Sequence, residues 1–264
     1  MKPILYFWLL AVSLSARAQS SEPAVYVASD GVRISYNQIG TGKPVLLIHG
    51  FIVDSSMWRD SPLIQALNAA GYRVILPDLR GNGRSEKPHT REAYQNDQEV
   101  KDLIGLMKQL GYARYDVVGY SRGAILAARL LVLDPQVQKA VLGGMSADFT
   151  DPNWYRRRNF HEALARPGSH PELQGAIDYA KRIGADTLAL MRMQESQPTA
   201  SRAELAAVRR PVLVINGDQD RDNGDPQTLA DAIPGARLVI VPGNHGNTAR
   251  SEAFAREAVQ WLKQ

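Results

Sequence analysis

Short apolar runs, each bounded by glycine, proline or aspartate, recur along this chain: "AVYVAS", "VRISYNQ", "PVLLIHG", "YRVILPD", "YDVVGYS", "KAVLGGM", "PVLVINGD" and "ARLVIVPG". Stretches with helical periodicity separate most of the later ones, among them "SPLIQALNAAG", "YQNDQEVKDLIGLMKQLG" and "GAILAARLLVLDP". Strands this rich in valine, isoleucine and leucine must be covered on both faces, and alternation with helices achieves that as a mostly parallel sheet. The first two runs have only Asp30 and Gly31 between them, which predicts an antiparallel hairpin at the sheet's edge.

The rhythm breaks between residues 148 and 210. No strand pattern is visible there, only amphipathic pieces such as "PNWYRRRNFHEALAR", "PELQGAIDYAKRIGADTLALMRMQ" and "RAELAAVRR". This segment is expected to form a small helical cap, inserted between a first core part, 19–147, and a second, 211–264. A chain of 264 residues with 44% apolar content suffices for one such α/β domain.

Residues 1–18 stand apart from that pattern. Lys2, the apolar run "PILYFWLLAVSLS" and the small-x-small "ARA" ending at Ala18 predict a Sec-type signal peptide and a periplasmic or secreted protein. The apolar run is shorter than the roughly 20 residues a spanning helix needs, so no stable membrane insertion is expected after cleavage. The absence of cysteine excludes disulfides and thiolate metal sites. The formal net charge is +4, and Lys2 and Arg17 carry two of those charges, so the rest of the chain is only weakly basic. The dense cluster Arg156 to Arg158 lacks interleaved aromatics and glycines; it reads as a solvated helix face, and no nucleic-acid partner is expected. Oligomeric state is left open.

The stretch "GYSRG", 119–123, brings chemistry into view. It lies between a predicted strand and a predicted helix, and glycines two before and two after a serine allow a strained turn that exposes the hydroxyl. A serine nucleophile needs a base and a carboxylate that orients it. His245 follows the last predicted strand and should emerge at the sheet's carboxyl edge; His89, His161 and His170 lie in polar contexts and read as surface residues. Asp218, Asp220, Asp222 and Asp225, in "GDQDRDNGD" after the preceding strand, are all placed to supply the carboxylate.

Taken in order, the segments "HGF" (49–51), "PDLRGNGRSEKP" (77–88), "GYSRG", "GDQD" (217–220) and "GNH" (243–245) resemble the motif series of the α/β-hydrolase family over nearly the whole chain. The resemblance implies an eight-stranded, mostly parallel sheet flanked by helices, with the helical cap inserted. It implies Ser121 as nucleophile, His245 as base and Asp220 as acid, with Asp218 as the alternative acid. Phe51 and Arg122 would supply oxyanion-hole N–H groups, and His49, Asp78 and Arg80 would hold loops. No metal and no cofactor is expected. The base loop reads "GNH" where many relatives have a shorter form, and Arg122 follows the serine where an uncharged residue is common; neither departure removes a required group.

The expected activity is hydrolysis of an ester-type bond in a small-molecule substrate through an acyl-enzyme. Lactone, peracid-forming or carbon-carbon hydrolysis on the same triad is the alternative, as is a ligand-binding module with little turnover. A serine at the elbow disfavours the epoxide hydrolase and dehalogenase branches, which carry aspartate there. Candidates for the pocket wall are Phe51, Met57, Trp58, Met145, Trp154, Tyr155 and Phe160, with Leu190 and Met193.

Overall fold

The computed structural model describes residues 23–59 and 61–264, so the expected signal segment lies outside the described residues. All eight apolar runs are strands: β1 Ala24–Val27, β2 Arg33–Ile39, β3 Lys43–Ile48, β4 Tyr72–Pro77, β5 Tyr115–Tyr120, β6 Val137–Gly143, β7 Val212–Gly217 and β8 Arg237–Val241. They form one sheet in the order β1-β2-β4-β3-β5-β6-β7-β8. β2 runs against both of its neighbours, and the other described pairings are parallel. The hairpin stands at the edge, as its turn pair predicts.

The helices, in chain order, are α1 Ser56–Arg59, α2 Pro62–Ala69, α3 Gln98–Gln109, α4 Arg122–Leu133, α5 Tyr155–Ala165, α6 Gln174–Arg182, α7 Thr187–Glu195, α8 Arg202–Ala206, α9 Gln227–Ala232 and α10 Glu252–Lys263. Side-chain alternation along each strand feeds two cores. Leu46, Ile48, Val117, Val212 and Val214 point to the face covered by α3, α4 and α9. Their neighbours Val45, Leu47, Val118, Leu213 and Ile215 pack with Leu63 and Leu67 of α2 and Phe254 and Trp261 of α10. Continuous apolar runs, rather than alternating ones, are the consequence of burial on both sides.

Between β6 and β7, helices α6 and α7 both pack on α5. Phe51 and Ile52, in the loop after β3, join the two small apolar clusters of this layer. The expected cap boundary at 210 reaches too far. Helix α8 packs against α4 and α9, and Leu205 and Val208 lie in the sheet's own core, so the last part of the 148–210 segment belongs beneath the cap.

The strand order sets where a site can form. β4 lies on one side of β3 and β5 on the other, so the chain reverses direction across the sheet there, and a crevice opens at the carboxyl ends of β3 and β5. The loop after β3 begins with His49, and the residue after β5 is Ser121.

Candidate active site

Ser121 sits between β5 and α4 at φ +55° and ψ −126°, a conformation that side-chain-bearing residues rarely adopt. The chain tolerates it because of its glycines. A Cβ on Gly119 would collide with the Gly123 carbonyl, and one on Gly123 with the carbonyls of Ile48 and His49. Fully buried Ala124, Ala127 and Ala128 let α4 approach the sheet, and the Ser121 N–H is fastened to the Gly143 carbonyl at 2.8 Å.

The structure brings Ser121, His245 and Asp220 together. The Ser121 hydroxyl donates to His245 Nε2 at 2.9 Å, and His245 Nδ1–H donates to Asp220 Oδ2 at 2.8 Å. Asp220 comes from the loop after β7 and His245 from the loop after β8. Burial pushes the Asp220 carboxyl upward, but hydrogen bonds from His245, the Asp222 N–H and Tyr120 outweigh it and hold the group below its ordinary value. Asp218 does not reach the imidazole: its Oδ1 accepts from the Gly243 N–H at 2.9 Å, tying the two loops together. Asp225 accepts from the Gln227 N–H ahead of α9.

The loop after β3 is pinned from several sides. His49 Nε2 accepts from the Leu79 N–H at 3.0 Å, which leaves Nδ1–H to donate to the Gly50 carbonyl at 2.7 Å. Burial lowers the pKa of His49, in keeping with a neutral ring. Asn82 Nδ2 donates to the carbonyls of Phe51 and Val53 at 2.9 and 3.0 Å. Asp78 accepts from the Ser55 and Arg84 N–H groups, and Arg80 is held by Asp30 and Asp102. The N–H groups of Phe51 and Arg122 have no acceptor among the described residues, and both residues border the cavity above Ser121. The Arg122 side chain turns away from substrate space into a buried pair with Glu99, Nη1 to Oε1 2.8 Å.

That cavity encloses about 500 Å³ between the sheet edge and the cap. Of the pocket candidates, Phe51, Met57, Met145, Trp154 and Phe160 line it. Trp58 does not: it is fully buried in the core, 6.4 Å from the Phe254 ring. Tyr155 does not either, since it lies one residue around the helix from Trp154 and is 59% exposed. Leu190 and Met193 are interior to the cap with Tyr94 and Ala189. Sequence reasoning missed the polar wall formed by Gln194, Gln197 and Asn223, and it misplaced the arginine run: Arg156 and Arg157 line the cavity, and only Arg158 of the three is exposed.

A sheet reversed at β3 and β5, with a serine elbow at the reversal, is the architecture of one hydrolase class. Residues 45–257 match the sequence model of the alpha/beta hydrolase family, and the chain belongs to that family of enzymes. Among its relatives, epoxide hydrolase 3 of Siraitia grosvenorii is 34% identical over 129 residues, 49% of this chain and 40% of that one. The chain thus spans about two fifths of that relative's length. The 2-hydroxymuconate semialdehyde hydrolase of Pseudomonas sp. (strain CF600) is 26% identical over 279 residues, 93% of this chain and 94% of that one. Among solved structures, the enol-lactonase from Burkholderia xenovorans LB400 superposes with a TM-score of 0.76 at 25% identity, covering 91% of this chain and all of that one.

Proposed function

We propose that this chain is an exported serine hydrolase that cleaves an ester-type bond of a small substrate through an acyl-enzyme. The observation that carries the proposal is the unbroken hydrogen-bonded path from Ser121 through His245 to Asp220, which opens into the cavity. In this mechanism His245 takes the Ser121 proton as Oγ attacks the ester carbonyl. The oxyanion is received by the N–H groups of Phe51 and Arg122, each worth roughly 3 kcal/mol in the transition state. His245 then protonates the leaving alcohol, activates a water to attack the acyl carbonyl, and returns the proton to Ser121 as the acid departs. Asp220 holds the imidazole with Nδ1 protonated and stabilises its transient charge. Serine rather than aspartate at the elbow supports ester cleavage over the epoxide opening named for the Siraitia relative. Export is supported by the basic, apolar and small-residue pattern of residues 1–18.

Another chemistry on the same triad, carbon-carbon bond hydrolysis, is the second assignment; the near-complete alignment with a relative named for a semialdehyde rather than an ester keeps a non-ester substrate in view. The test exposes the mature protein and Ser121→Ala to a fluorophosphonate probe, with p-nitrophenyl butyrate turnover measured in parallel. Labelling confined to Ser121 with ester turnover is expected. A labelled serine without ester turnover moves the carbon-carbon assignment forward, and a folded protein that takes no label is a binding module.

A further inference from the structure

Among the described residues, four arginines, Arg122, Arg156, Arg157 and Arg250, border the cavity against a single carboxylate, Asp222. Two are neutralised: Arg122 by Glu99 from behind, and Arg156 by Asp222 at 3.4 Å, with its guanidinium also over the Phe160 ring. Arg250 is exposed, and its Nη2 donates to the Gly246 carbonyl at 3.1 Å. Arg157 is different. It is half-buried, it has no carboxylate within ion-pair reach among the described residues, and its described hydrogen bond is a single one, Nη2 to the Pro152 carbonyl at 2.8 Å. Burial pulls its pKa below the ordinary arginine value, and the charge of Asp151 only partly opposes this.

Helix geometry places this residue on the cavity side of α5. Trp154, Arg157 and Phe160 recur every three residues at and along α5, which puts them on one face, and all three line the cavity. Trp154 and Phe160 are buried and supply apolar walls on either side. The remaining donors of Arg157 carry no partner among the described residues and reach solvent, so an anion that enters the cavity can take them. A planar guanidinium with parallel N–H groups matches a carboxylate in bidentate fashion.

We infer that Arg157 is the docking point for a carboxylate carried by the substrate, so that the preferred substrates are half-esters or lactones of small dicarboxylic acids. This rests on the serine-hydrolase assignment for its chemistry, but the docking point itself is measurable without turnover. Calorimetric titration of Ser121→Ala with monomethyl glutarate and with neutral dimethyl glutarate makes the comparison, repeated with Arg157→Gln and Arg157→Lys in the same background and with folding checked by circular dichroism. The half-ester is expected to bind at least about tenfold tighter than the diester. Arg157→Gln should erase that preference, and Arg157→Lys should keep part of it. Equal or undetectable binding of the two compounds, or a preference that survives Arg157→Gln, overturns the inference. Neutral-ester turnover by the wild type alongside that result would leave the hydrolase assignment standing. Half-ester preference without any turnover would retain the docking point and remove the esterase.

Discussion

The Tyr120 hydroxyl donates to the backbone carbonyl of His245 at 3.0 Å, so the residue before Ser121 holds the loop that carries the imidazole. Its ring lies 5.3 Å from the imidazole at a 35° tilt, and its oxygen is also 3.4 Å from Asp220 Oδ2. Tyr120 is thereby a positioning residue that touches two members of the constellation.

Tyr120→Phe should keep the ring packing and lose only the hydroxyl. A net hydrogen bond of about 1 kcal/mol predicts a drop in kcat of roughly fivefold, with KM for a neutral ester unchanged. A purely structural role would lower the melting temperature and leave kcat per folded molecule intact. Steady-state kinetics with p-nitrophenyl butyrate, beside a thermal melt, separates the two.

Ser121 stores backbone strain at φ +55°. Ser121→Ala should abolish turnover and keep the strain. Ser121→Gly should abolish turnover as well but relieve the strain, and glycine's larger unfolded entropy offsets only part of the gain. A rise in stability of about 1 kcal/mol moves the melting temperature by roughly 2–4 °C in a chain of this size. Equal melting temperatures for the two variants would remove strain from the account of this elbow.

Asp220 and Asp218 lie two residues apart with different work. Asp220→Asn should lower kcat by about 10⁴-fold through loss of the imidazole's correct tautomer. Asp218→Asn retains an oxygen for the Gly243 N–H and should leave kcat nearly unchanged. The folded Asp220 carboxyl titrates below its unfolded value, so its stabilisation is complete above about pH 4 and is lost as pH falls through the lower folded value. Thermal melts from pH 7 down to pH 2.5 should show the wild-type advantage over Asp220→Asn shrinking only at the acid end. A difference that persists undiminished at pH 2.5 would contradict the depressed value.

The residue types that announce themselves in sequence are those whose requirement is local. Gly119 is demanded by a backbone collision with Gly123 four residues on, whereas the Ile48 and His49 carbonyls that demand Gly123 come from the end of β3 and the loop after it, distant in sequence. The inner strands β3 to β7 show their burial on both faces as continuous apolar runs, so Gly119 and these strands are legible in a string of letters. Helix phase in the cap is not. α5 carries arginines on its cavity side, and with no dominant apolar stripe nothing local tells Arg157, which lines the cavity, from Arg158, which faces water. Met57 and Trp58 are adjacent in one short turn, and only the packing of Trp58 on Phe254 decides which of them enters the core. Leu190 and Met193 pose the same problem, since an apolar residue suits a cap interior and a pocket wall equally.

Arg122 offers two separable contributions, a backbone N–H towards the cavity and a side chain buried against Glu99. Arg122→Met removes only the second and leaves a buried carboxylate without its partner. Breaking such a pair from one side costs about 3–5 kcal/mol. Stability should therefore fall steeply, while kcat per folded molecule stays within a few-fold because the peptide N–H remains in place. Adding Glu99→Leu to Arg122→Met should recover most of the lost stability, since the desolvated charge is gone as well. Urea unfolding of the two single variants and the double variant measures the coupling. Kinetics on the folded double variant then decides the side chain's part in turnover: wild-type kcat assigns the side chain to the scaffold, and a loss beyond about tenfold would assign Arg122's charge a part in catalysis.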